Sequence, residues 1–297
     1  MIESLNATGA KVTEGAPLDK LAYWRVGGCA DYLVDVSSIA QLQAVLAVAG
    51  EADLPVTVLG NGSNSLVHDN GVRGVVLRLK GDLASMDIDG EVATVGAGML
   101  LVVLLTRVDR AGLAGAEPFA GVPGTVGGGV VMNAGTTLGE ASDLLVSVDV
   151  VLATGELVTL AASELELSYR HSVLPKGSVV ARARLQLTSA NVDERRANRK
   201  RLIAARKATQ PLDLPSCGST FTNPPGDHAG RLIDAAGLKG RRIGGASISS
   251  KHANFIVNHG DATALDIHAL IELAMSEVES QFGVVLVPEV RYLGEWG

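Results

Sequence analysis

Apolar and polar positions along the chain follow two periods, one of about 3.6 residues and one of about two. The longer period predicts helices over Ser38–Gly50, Met99–Arg110, Asp193–Lys207 and Asp261–Gly283. The shorter period and brief apolar runs predict strands over Val56–Leu59, Val72–Leu79, Val146–Leu152, Glu156–Leu160, Val179–Leu187 and Val284–Leu293. Ser38 opens its helix with a capping box that includes Gln41, and Asp261 is the predicted cap of the last helix.

The length and a change in composition predict how the chain is organised. A chain of 297 residues predicts two domains, or three lobes around one cleft. Basic residues concentrate in the helix Asp193–Lys207, and a proline-rich stretch follows it with Pro211, Pro215, Pro224 and Pro225. We therefore expect a domain boundary near residues 190–210.

Composition argues against several classes of protein. The chain has 25 Lys and Arg against 32 Asp and Glu, and its aromatic content is 3%, so nucleic acid is not an expected partner. The two cysteines are too few for a disulfide scaffold, and no His-x-x-x-His spacing occurs, so no catalytic metal is expected. The first residues lack a secretion signal, and no apolar run reaches the roughly 20 residues of a membrane span. These features predict a cytoplasmic protein with no membrane partner.

Glycine is in excess, with 35 residues, and clusters in two segments of the first half. Gly60-Asn61-Gly62 begins like a dinucleotide-binding fingerprint, but a turn and a strand follow it instead of a helix, which disfavours a Rossmann fold. Gly121–Gly129 contains five glycines, whose successive N–H groups suit a pyrophosphate, and Thr125 and Asn133 add side-chain donors. Ordinary tight turns are the alternative at both places. Together the two segments point to a large nucleotide cofactor.

A third segment, Cys217–Gly226, places Ser219 in a rigid loop rich in glycine and proline. No Gly-x-Ser-x-Gly pattern surrounds Ser219, so a hydrolase triad has weak support. A serine held in such a loop is able to donate a proton to a substrate. Cys217 is predicted to pack as a small buried residue, with a redox thiol as the alternative.

These motifs occur in an order that resembles a known family, the UDP-N-acetylenolpyruvoylglucosamine reductases, which reduce an enolpyruvyl sugar nucleotide in peptidoglycan synthesis. In the first half the matching segments are Trp24–Gly28, Gly60–Asn64, Gly121–Gly128, Met132–Gly135 and Tyr169–Ser172. In the second half they are Pro215–Phe221, Gly230–Ile233, Ala236–Gly240, Ser250–Phe255 and Glu289–Arg291. Each motif is modest alone, but the ordered set covers residues 24–291.

The resemblance implies an α+β fold, with a two-lobed FAD-binding region of the PCMH type followed by an α+β substrate-binding domain. It implies a first lobe over residues 1–80, joined by a C-terminal strand at about 290–297, and a second lobe over 81–192. The substrate-binding domain would cover 193–289. Strand Val179–Leu187 follows Ser172 almost at once, which leaves no room for the tyrosine-bearing loop of longer members, so the chain is similar to the shorter subtype.

The resemblance also implies the cofactors and partners. FAD and NADPH are the expected cofactors, because no side chain carries hydride, and a UDP-sugar is the expected substrate of a monomeric enzyme. The FAD-binding residues that it implies are Arg25, Gly60, Asn61, Gly62, Ser63, Asn64, Gly121, Pro123, Gly124, Thr125, Gly127, Gly128, Asn133 and Arg291.

Three residues match the catalytic positions of the family. Arg170 matches the arginine that binds the substrate carboxylate, and Ser219 matches the serine that protonates the α-carbon. Glu289 matches a glutamate beside the carboxylate. Because an ionised Glu289 would repel the charge that develops there, we expect it to be protonated or strongly hydrogen-bonded. The alternatives are a surface arginine, a turn-forming serine and an exposed acid at a strand edge.

The resemblance implies substrate contacts from basic and polar residues in the second half, namely Arg206, Lys207, Asn223, Arg231 and Lys251. The helix that carries Arg206 and Lys207 is otherwise typical of a solvated surface. Thr209 stands where relatives often have lysine, so we expect the phosphate contact to pass to Lys207 or another base. His252 and Asn254 have either a binding or a structural role.

Two other functions remain open from the sequence. One is an FAD-dependent oxidase of a sugar or hydroxy acid on the same fold; the absence of His or Cys from Gly60–Ser65 and Gly121–Gly128 favours non-covalent FAD in either case. The other is a nucleic-acid-binding module that uses the basic helix, which would bind with a steep salt dependence.

Overall fold

The computed structural model describes residues 1–189 and 192–296. Within these residues the helices are α1 (Ile2–Ala7), α2 (Ile39–Glu51), α3 (Leu101–Arg110), α4 (Val126–Val131), α5 (Val192–Thr209), α6 (Ala229–Ala235) and α7 (Ala264–Phe282). Ala190 and Asn191, at the predicted domain boundary, and Gly297, at the end of the predicted C-terminal segment, lie outside the described residues.

The strands are short and are spread over the whole described chain. The first nine are β1 (Lys11–Pro17), β2 (Cys29–Val36), β3 (Val56–Val58), β4 (Ser65–Val67), β5 (Val72–Leu79), β6 (Met86–Asp89), β7 (Val92–Gly96), β8 (Leu113–Ala114) and β9 (Gly135–Thr136). The remaining strands are β10 (Gly139–Glu140), β11 (Leu145–Val151), β12 (Leu157–Ala161), β13 (Val179–Gln186), β14 (Thr188–Ser189), β15 (Arg242–Ile243), β16 (Ala246–Ile248), β17 (Ile256–Asn258) and β18 (Arg291–Leu293).

The chain divides into two compact units, and each is built from separate stretches of sequence. The first unit comprises Met1–Gly15, Asp31–Asn61 and Arg73–Ile203. The second unit comprises Ala16–Ala30, Gly62–Val72 and the chain from Ala204 onward. Residues 1–80, which the sequence predicts as one lobe, therefore contribute to both units.

The first unit contains two main sheets. Antiparallel strands form one of them in the order β12-β11-β13-β7-β6, and the other has the order β1-β2-β5-β3 with β3 parallel to β5. Helix α2 buries the face that carries Leu42, Val45, Leu46 and Ala49, the spacing of an amphipathic helix. These side chains join one apolar core with the inner residues of the sheets, which supplies the main stabilisation of the unit.

The second unit has its own core, in which the largest fully buried side chains are Trp24, Phe221 and Phe255. Strands β15, β16 and β17 form an antiparallel sheet, and α7 buries a face that includes Ile267 and Leu270. Strand β18, near the C-terminus, pairs in parallel with β4, with Arg291 opposite Ser65. This pairing places residues 289–291 beside the loop that precedes β4.

Most predicted elements are confirmed, with ends that shift by a few residues. Ser38 Oγ accepts a hydrogen bond of 3.2 Å from the Gln41 N–H, as expected for the cap of α2. Val72–Leu79 is a strand with the predicted bounds. Helix α3 begins at Leu101 and not at Met99, because Leu100 has an extended backbone and bridges to Thr125.

Two predictions near the C-terminus are wrong. The cap of α7 is Thr263, not Asp261: Thr263 Oγ1 accepts from the Asp266 N–H at 3.1 Å, and Asp266 accepts from the Thr263 N–H at 2.9 Å. The predicted strand Val284–Leu293 is a strand only over Arg291–Leu293. Its earlier part includes Pro288, which has no N–H for a sheet ladder.

Candidate active site

The glycine-rich segment Gly121–Gly129 enters α4, whose N-cap is Thr125. Thr125 Oγ1 accepts from the Gly128 N–H at 3.3 Å. The segment packs closely, since a Cβ on Gly127 would lie 3.0 Å from the Ala97 Cβ. The Gly127 N–H donates to Ala97 O at 2.8 Å and the Val126 N–H to Met99 O at 2.9 Å. The expectation of a continuous row of exposed N–H groups is therefore wrong for this part of the segment.

The two glycine-rich segments meet inside the first unit, although about sixty residues separate them. A Cβ on Gly60 would lie 2.8 Å from Thr125 Oγ1, so only glycine allows this approach. The Asn61 amide donates to Pro123 O at 3.4 Å. The structure thus brings together Gly60, Asn61, Pro123 and Thr125, four of the residues predicted to bind the cofactor.

The next residues, Gly62, Ser63 and Asn64, belong to the second unit and form the turn before β4. Gly62 has a φ of +64°, and a Cβ there would lie 1.9 Å from Leu21 O. The three backbone N–H groups have no hydrogen-bond acceptor within residues 1–189 and 192–296. Consecutive N–H groups in a glycine turn form a concave site for an anion such as pyrophosphate. Gly62 is buried and Ser63 and Asn64 are partly exposed, so this turn, and not Gly121–Gly129, presents a row of N–H groups without an acceptor in the described part of the chain.

Asn64 connects this turn to the C-terminal segment. Its Nδ2 donates to Glu289 O at 3.0 Å, and its carbonyl oxygen accepts from the Arg291 N–H at 2.9 Å. Two predicted cofactor residues and one predicted catalytic residue therefore lie together in the second unit. Arg25, also in this unit, is exposed with a φ of +58°, and its Nη1 donates to Lys20 O at 3.1 Å.

Ser219 follows Gly218, which has a φ of +79°, in the loop predicted from the sequence. The neighbouring Thr220 holds this loop in place on both sides: its N–H donates to Asn254 O and its carbonyl accepts from the Glu289 N–H, each at 2.8 Å. The backbone of Glu289 is thereby joined to Thr220, the residue after Ser219. The role of Asn254 was open from the sequence. In the structure its backbone oxygen accepts from the Thr220 N–H, and Asn254 thereby holds this loop in place.

A pocket of about 430 Å³ opens in the second unit beside Ser219. Three of the five predicted substrate-binding residues line it, namely Asn223, Arg231 and Lys251. Arg231 forms a bidentate pair with Asp227, and this guanidinium lowers the pKa of the partly exposed Asp227 carboxyl to about 2. The pocket is therefore polar and carries basic groups, as a phosphate-bearing ligand requires.

The other two predicted substrate residues, Arg206 and Lys207, lie at the end of α5 and do not line this pocket. Burial lowers the pKa of the half-buried Arg206 guanidinium, whose Nε donates to Gln210 Oε1 at 3.2 Å. Lys207 is exposed, and its backbone oxygen accepts from Lys251 Nζ at 2.9 Å. The expected phosphate contact of Lys207 stays a prediction.

Arg170 lies in the first unit, at the tip of a two-residue turn with a φ of +57°. Ser168 and His171 close the turn with backbone hydrogen bonds of 3.1 and 3.0 Å. The Arg170 guanidinium lies 4.9 Å from the centre of the Tyr169 ring, and its Nη2 donates to Gly135 O at 3.2 Å. This arginine is half-buried and held by specific contacts, unlike a mobile surface arginine.

Asn133 is fully buried with a φ of +38°. Its amide nitrogen donates to Glu140 Oε2 at 2.8 Å and to Ser168 O at 3.0 Å, and its Oδ1 accepts from the Ser142 N–H. The expectation that this side chain adds a donor for a cofactor is wrong, because both amide hydrogens are used within the protein.

Comparison with known proteins decides the family. The model of the UDP-N-acetylenolpyruvoylglucosamine reductase C-terminal domain matches residues 210–293, and an FAD-binding-domain model matches residues 30–161. The reductase of Anaeromyxobacter sp. strain Fw109-5 is 47% identical over 96% of this chain and 90% of its own length. The reductase of Myxococcus xanthus is 46% identical over 99% of this chain and 96% of its own length. The chain belongs to the UDP-N-acetylenolpyruvoylglucosamine reductase family.

A solved structure of this family supports the same assignment. The crystal structure of the reductase from Thermus caldophilus has a TM-score of 0.83 and 40% identity, and the match covers 96% of this chain and 98% of that one. A berberine bridge enzyme variant, a reticuline dehydrogenase, matches 74% of this chain with a TM-score of 0.50 and 12% identity, which reflects a shared fold. The predicted family and the α+β fold with an FAD-binding region are confirmed. Among the described residues, no helix combines the length and apolar character needed to cross a membrane.

Some features of the reductase site were missed by sequence reasoning. Lys239 and Asp234 line the pocket as an ion pair of 2.7 Å, yet from the sequence Lys239 has no role beyond its place in a motif. His252 also lines the pocket, and burial, followed by the charge of Lys239, lowers its pKa. Cys217 is buried in the core as predicted, and burial raises the pKa of its thiol to about 12.

Proposed function

We propose that this chain reduces the enolpyruvyl ether of UDP-N-acetylglucosamine enolpyruvate to UDP-N-acetylmuramate, with NADPH as reductant and FAD as the bound cofactor. The observation that carries the proposal is identity of 46–47% along nearly the whole chain with curated reductases of that name. The pocket beside Ser219 adds independent support, because it offers basic groups next to a serine in a fixed loop.

The residues present fit FAD. The N–H groups of Gly62, Ser63 and Asn64, which have no acceptor among the described residues, suit its pyrophosphate. The close approach of Gly60 to Thr125 brings the two glycine-rich segments together. We propose that Gly121, Gly124, Gly127, Gly128, Arg25 and Arg291 also line the FAD site. FAD, when bound, carries hydride from NADPH to the β-carbon of the substrate.

We propose that Arg206, Lys207, Asn223, Arg231 and Lys251 contact the UDP-sugar substrate. Asn223 Oδ1 accepts from the Ala229 N–H at 3.1 Å, so its amide nitrogen is oriented away from that helix start. Arg231 is partly neutralised by Asp227, which favours a neutral or weakly charged partner there over a strong phosphate contact. Lys251 Nζ donates to Lys207 O at the end of α5. This contact directs the Lys251 side chain to the helix end that carries Arg206.

In the proposed chemistry, Arg170 binds the substrate carboxylate, because a guanidinium is always charged and matches a carboxylate with two parallel donors. Negative charge moves onto this carboxylate when hydride reaches the β-carbon. Ser219 donates its hydroxyl proton to the α-carbon. An ionised Glu289 would place a second negative charge beside the substrate carboxylate and oppose this movement of charge. We therefore propose that Glu289 is protonated or hydrogen-bonded during the reaction.

We also propose the domain assignment expected from the sequence, with FAD-binding lobes over 1–80 plus 290–297 and over 81–192, and a substrate-binding domain over 193–289. The pairing of β18 with β4 supports joining the C-terminal strand to residues 1–80. We propose a monomeric enzyme of the cytoplasm. Light scattering of the purified protein and cell fractionation test these two statements.

The decisive experiment is a visible absorption spectrum of the purified protein without oxygen, recorded after NADPH and then after UDP-N-acetylglucosamine enolpyruvate. A flavin spectrum that bleaches with NADPH and returns with the sugar nucleotide supports the proposal. A flavin that returns only when oxygen is admitted would indicate an oxidase of the same fold. Absence of any flavin, even after incubation with FAD, would contradict the proposal.

A further inference from the structure

Glu140 lies between two residues that the sequence marked for different roles, Asn133 and Arg170. Its Oε2 accepts a hydrogen bond of 2.8 Å from Asn133 Nδ2. Its Oε1 lies 3.8 Å from Arg170 Nη1, and both side chains are less than one third exposed. Neither the sequence motifs nor the family resemblance gave Glu140 a role.

The local fold holds Glu140 rigidly. It lies in β10, which pairs with β9 so that Glu140 is opposite Gly135. A Cβ on Gly135 would lie 2.2 Å from Gly139 O, so the two strands approach more closely than any other residue at 135 would allow. Glu140 also forms a reciprocal capping box with Asp143, whose carboxylate accepts from the Glu140 N–H at 2.8 Å. The Glu140 carboxylate is therefore fixed by its own backbone neighbours.

The Arg170 guanidinium is held at two of its nitrogens by this pair of strands. Nη2 donates to Gly135 O at 3.2 Å, and Nη1 faces the Glu140 carboxylate. Because a guanidinium is planar, two fixed contacts define the plane of the whole group. The backbone of Arg170 has a left-handed φ of +57°, which is unfavourable for a non-glycine residue and persists only where the surroundings enforce it.

We propose that Glu140 is the positioning residue for Arg170. Its charge and its fixed backbone orient the guanidinium for the substrate carboxylate, and the hydrogen bond that it accepts from Asn133 connects this orientation to the chain just after the C-terminal end of α4. The inference rests on the proposed function, in which Arg170 binds the carboxylate of the enolpyruvyl group.

The test uses Glu140→Gln in the FAD-loaded enzyme. Glutamine keeps a carbonyl oxygen for the Asn133 amide but loses the charge that faces Arg170. We expect flavin reduction by NADPH to stay within about twofold of wild type, whereas reoxidation by the enolpyruvyl substrate slows roughly tenfold, as a misplaced binding group does. Glu164→Gln is the matched control, because Glu164 caps the Ala161 N–H at 2.6 Å elsewhere in the same unit.

A second readout needs no substrate. The side-chain NMR signals of Arg170, assigned with an Arg170→Lys variant, should report a restricted guanidinium in wild type and in Glu164→Gln, and a more mobile one in Glu140→Gln, in which the contact with Gly135 O remains. Wild-type kinetics in Glu140→Gln together with an unchanged Arg170 signal would overturn the inference. Equal slowing of both half-reactions, accompanied by loss of FAD, would also overturn it, because that outcome indicates a general structural role.

The two proposals fail in different ways. If the wild-type flavin is reduced by NADPH but not reoxidised by the sugar nucleotide, the proposed function is wrong. The positioning of Arg170 is then decided by the NMR comparison alone, in which a lost restriction in Glu140→Gln supports it and an unchanged signal contradicts it.

Discussion

Thr220, the residue after Ser219, is completely buried in the second unit. Its backbone is fully used, by Asn254 O on one side and by the Glu289 N–H on the other. Its side-chain hydroxyl, in contrast, has no hydrogen-bond partner among the described residues. Valine has the same shape with a methyl group in place of this hydroxyl. The substitution Thr220→Val therefore removes a buried unpaired polar group and leaves both backbone hydrogen bonds intact.

The expected increase in the free energy of unfolding of Thr220→Val follows from the free-energy cost of burying the unpaired hydroxyl. Burying an unpaired hydroxyl costs about 1–3 kcal/mol in proteins, and an added buried methyl group contributes roughly 0.8 kcal/mol. Crowding by the larger methyl group offsets part of this sum. We expect Thr220→Val to stabilise the second unit by about 1–2 kcal/mol, which corresponds to a rise in Tm of about 2–8 °C.

The chain provides its own reporter for this measurement. It has two tryptophans, Trp24 and Trp296, and both belong to the second unit. Thermal unfolding of the FAD-free protein, followed by tryptophan emission, therefore reports on the unit that contains Thr220. Thr220→Ser is the matched control: it keeps the hydroxyl and loses the methyl group, so it should lower the free energy of unfolding by about 1 kcal/mol.

The reasoning would be refuted if Thr220→Val melts below wild type. That result would mean that the hydroxyl has a hydrogen-bond partner whose loss costs more than the apolar gain, such as an ordered internal water. An equal melting temperature for Thr220→Val and Thr220→Ser would likewise contradict it, because the hydroxyl and the methyl group would then contribute alike.

Three further predictions test other parts of the molecule. Arg199 is 9% exposed beside the buried Glu117, and Arg195 also pairs with Glu117, so Arg199→Ala should destabilise the first unit by about 1–3 kcal/mol; calorimetry with the exposed Arg201→Ala as control checks this. A thiol reagent at pH 8 should modify Cys29 alone in the folded protein and Cys217 only after urea, because burial raises the pKa of Cys217 to about 12 and keeps it protonated. With substrate bound, difference infrared spectra of wild type and Glu289→Gln should show a protonated Glu289 carboxyl; an ionised carboxylate band would contradict its proposed role.

Elements with a strong local pattern could be predicted from the sequence. The helix after Ser38 and the strand Val72–Leu79 depend on spacing and caps that neighbouring residues supply. Asp261 and Thr263 are both acceptable caps by residue type, and the choice between them needs more than local sequence. Asp69, nearly two hundred residues away, accepts from the Ala264 and Leu265 N–H groups at 2.8 and 3.1 Å and helps to fix the helix start.

The residues of the candidate site divide in the same way, into those that a local motif identifies and those whose role depends on distant segments. The glycine segments, Ser219 and Arg170 were identifiable because each belongs to a short motif. The sequence did not reveal that the Gly127 N–H is used by Ala97 O, or that the unpaired donors lie in the turn at Gly62. It also gave no signal for Glu140, because its partner Arg170 is thirty residues away and the contact depends on how two short strands and a turn pack.

The sequence by itself determined the family, the order of the helices and strands and most of the residue types at the site, since these depend on local propensity and on motifs within a few residues. Tertiary structure alone decided which donors remain unpaired, which acidic group faces Arg170, and how far the last strand extends. Strand β18 ends where its partner β4 ends, and before it Pro288 makes only an isolated bridge with Phe221. Such outcomes depend on hydrogen-bond partners from distant segments, and local sequence patterns do not specify those partners.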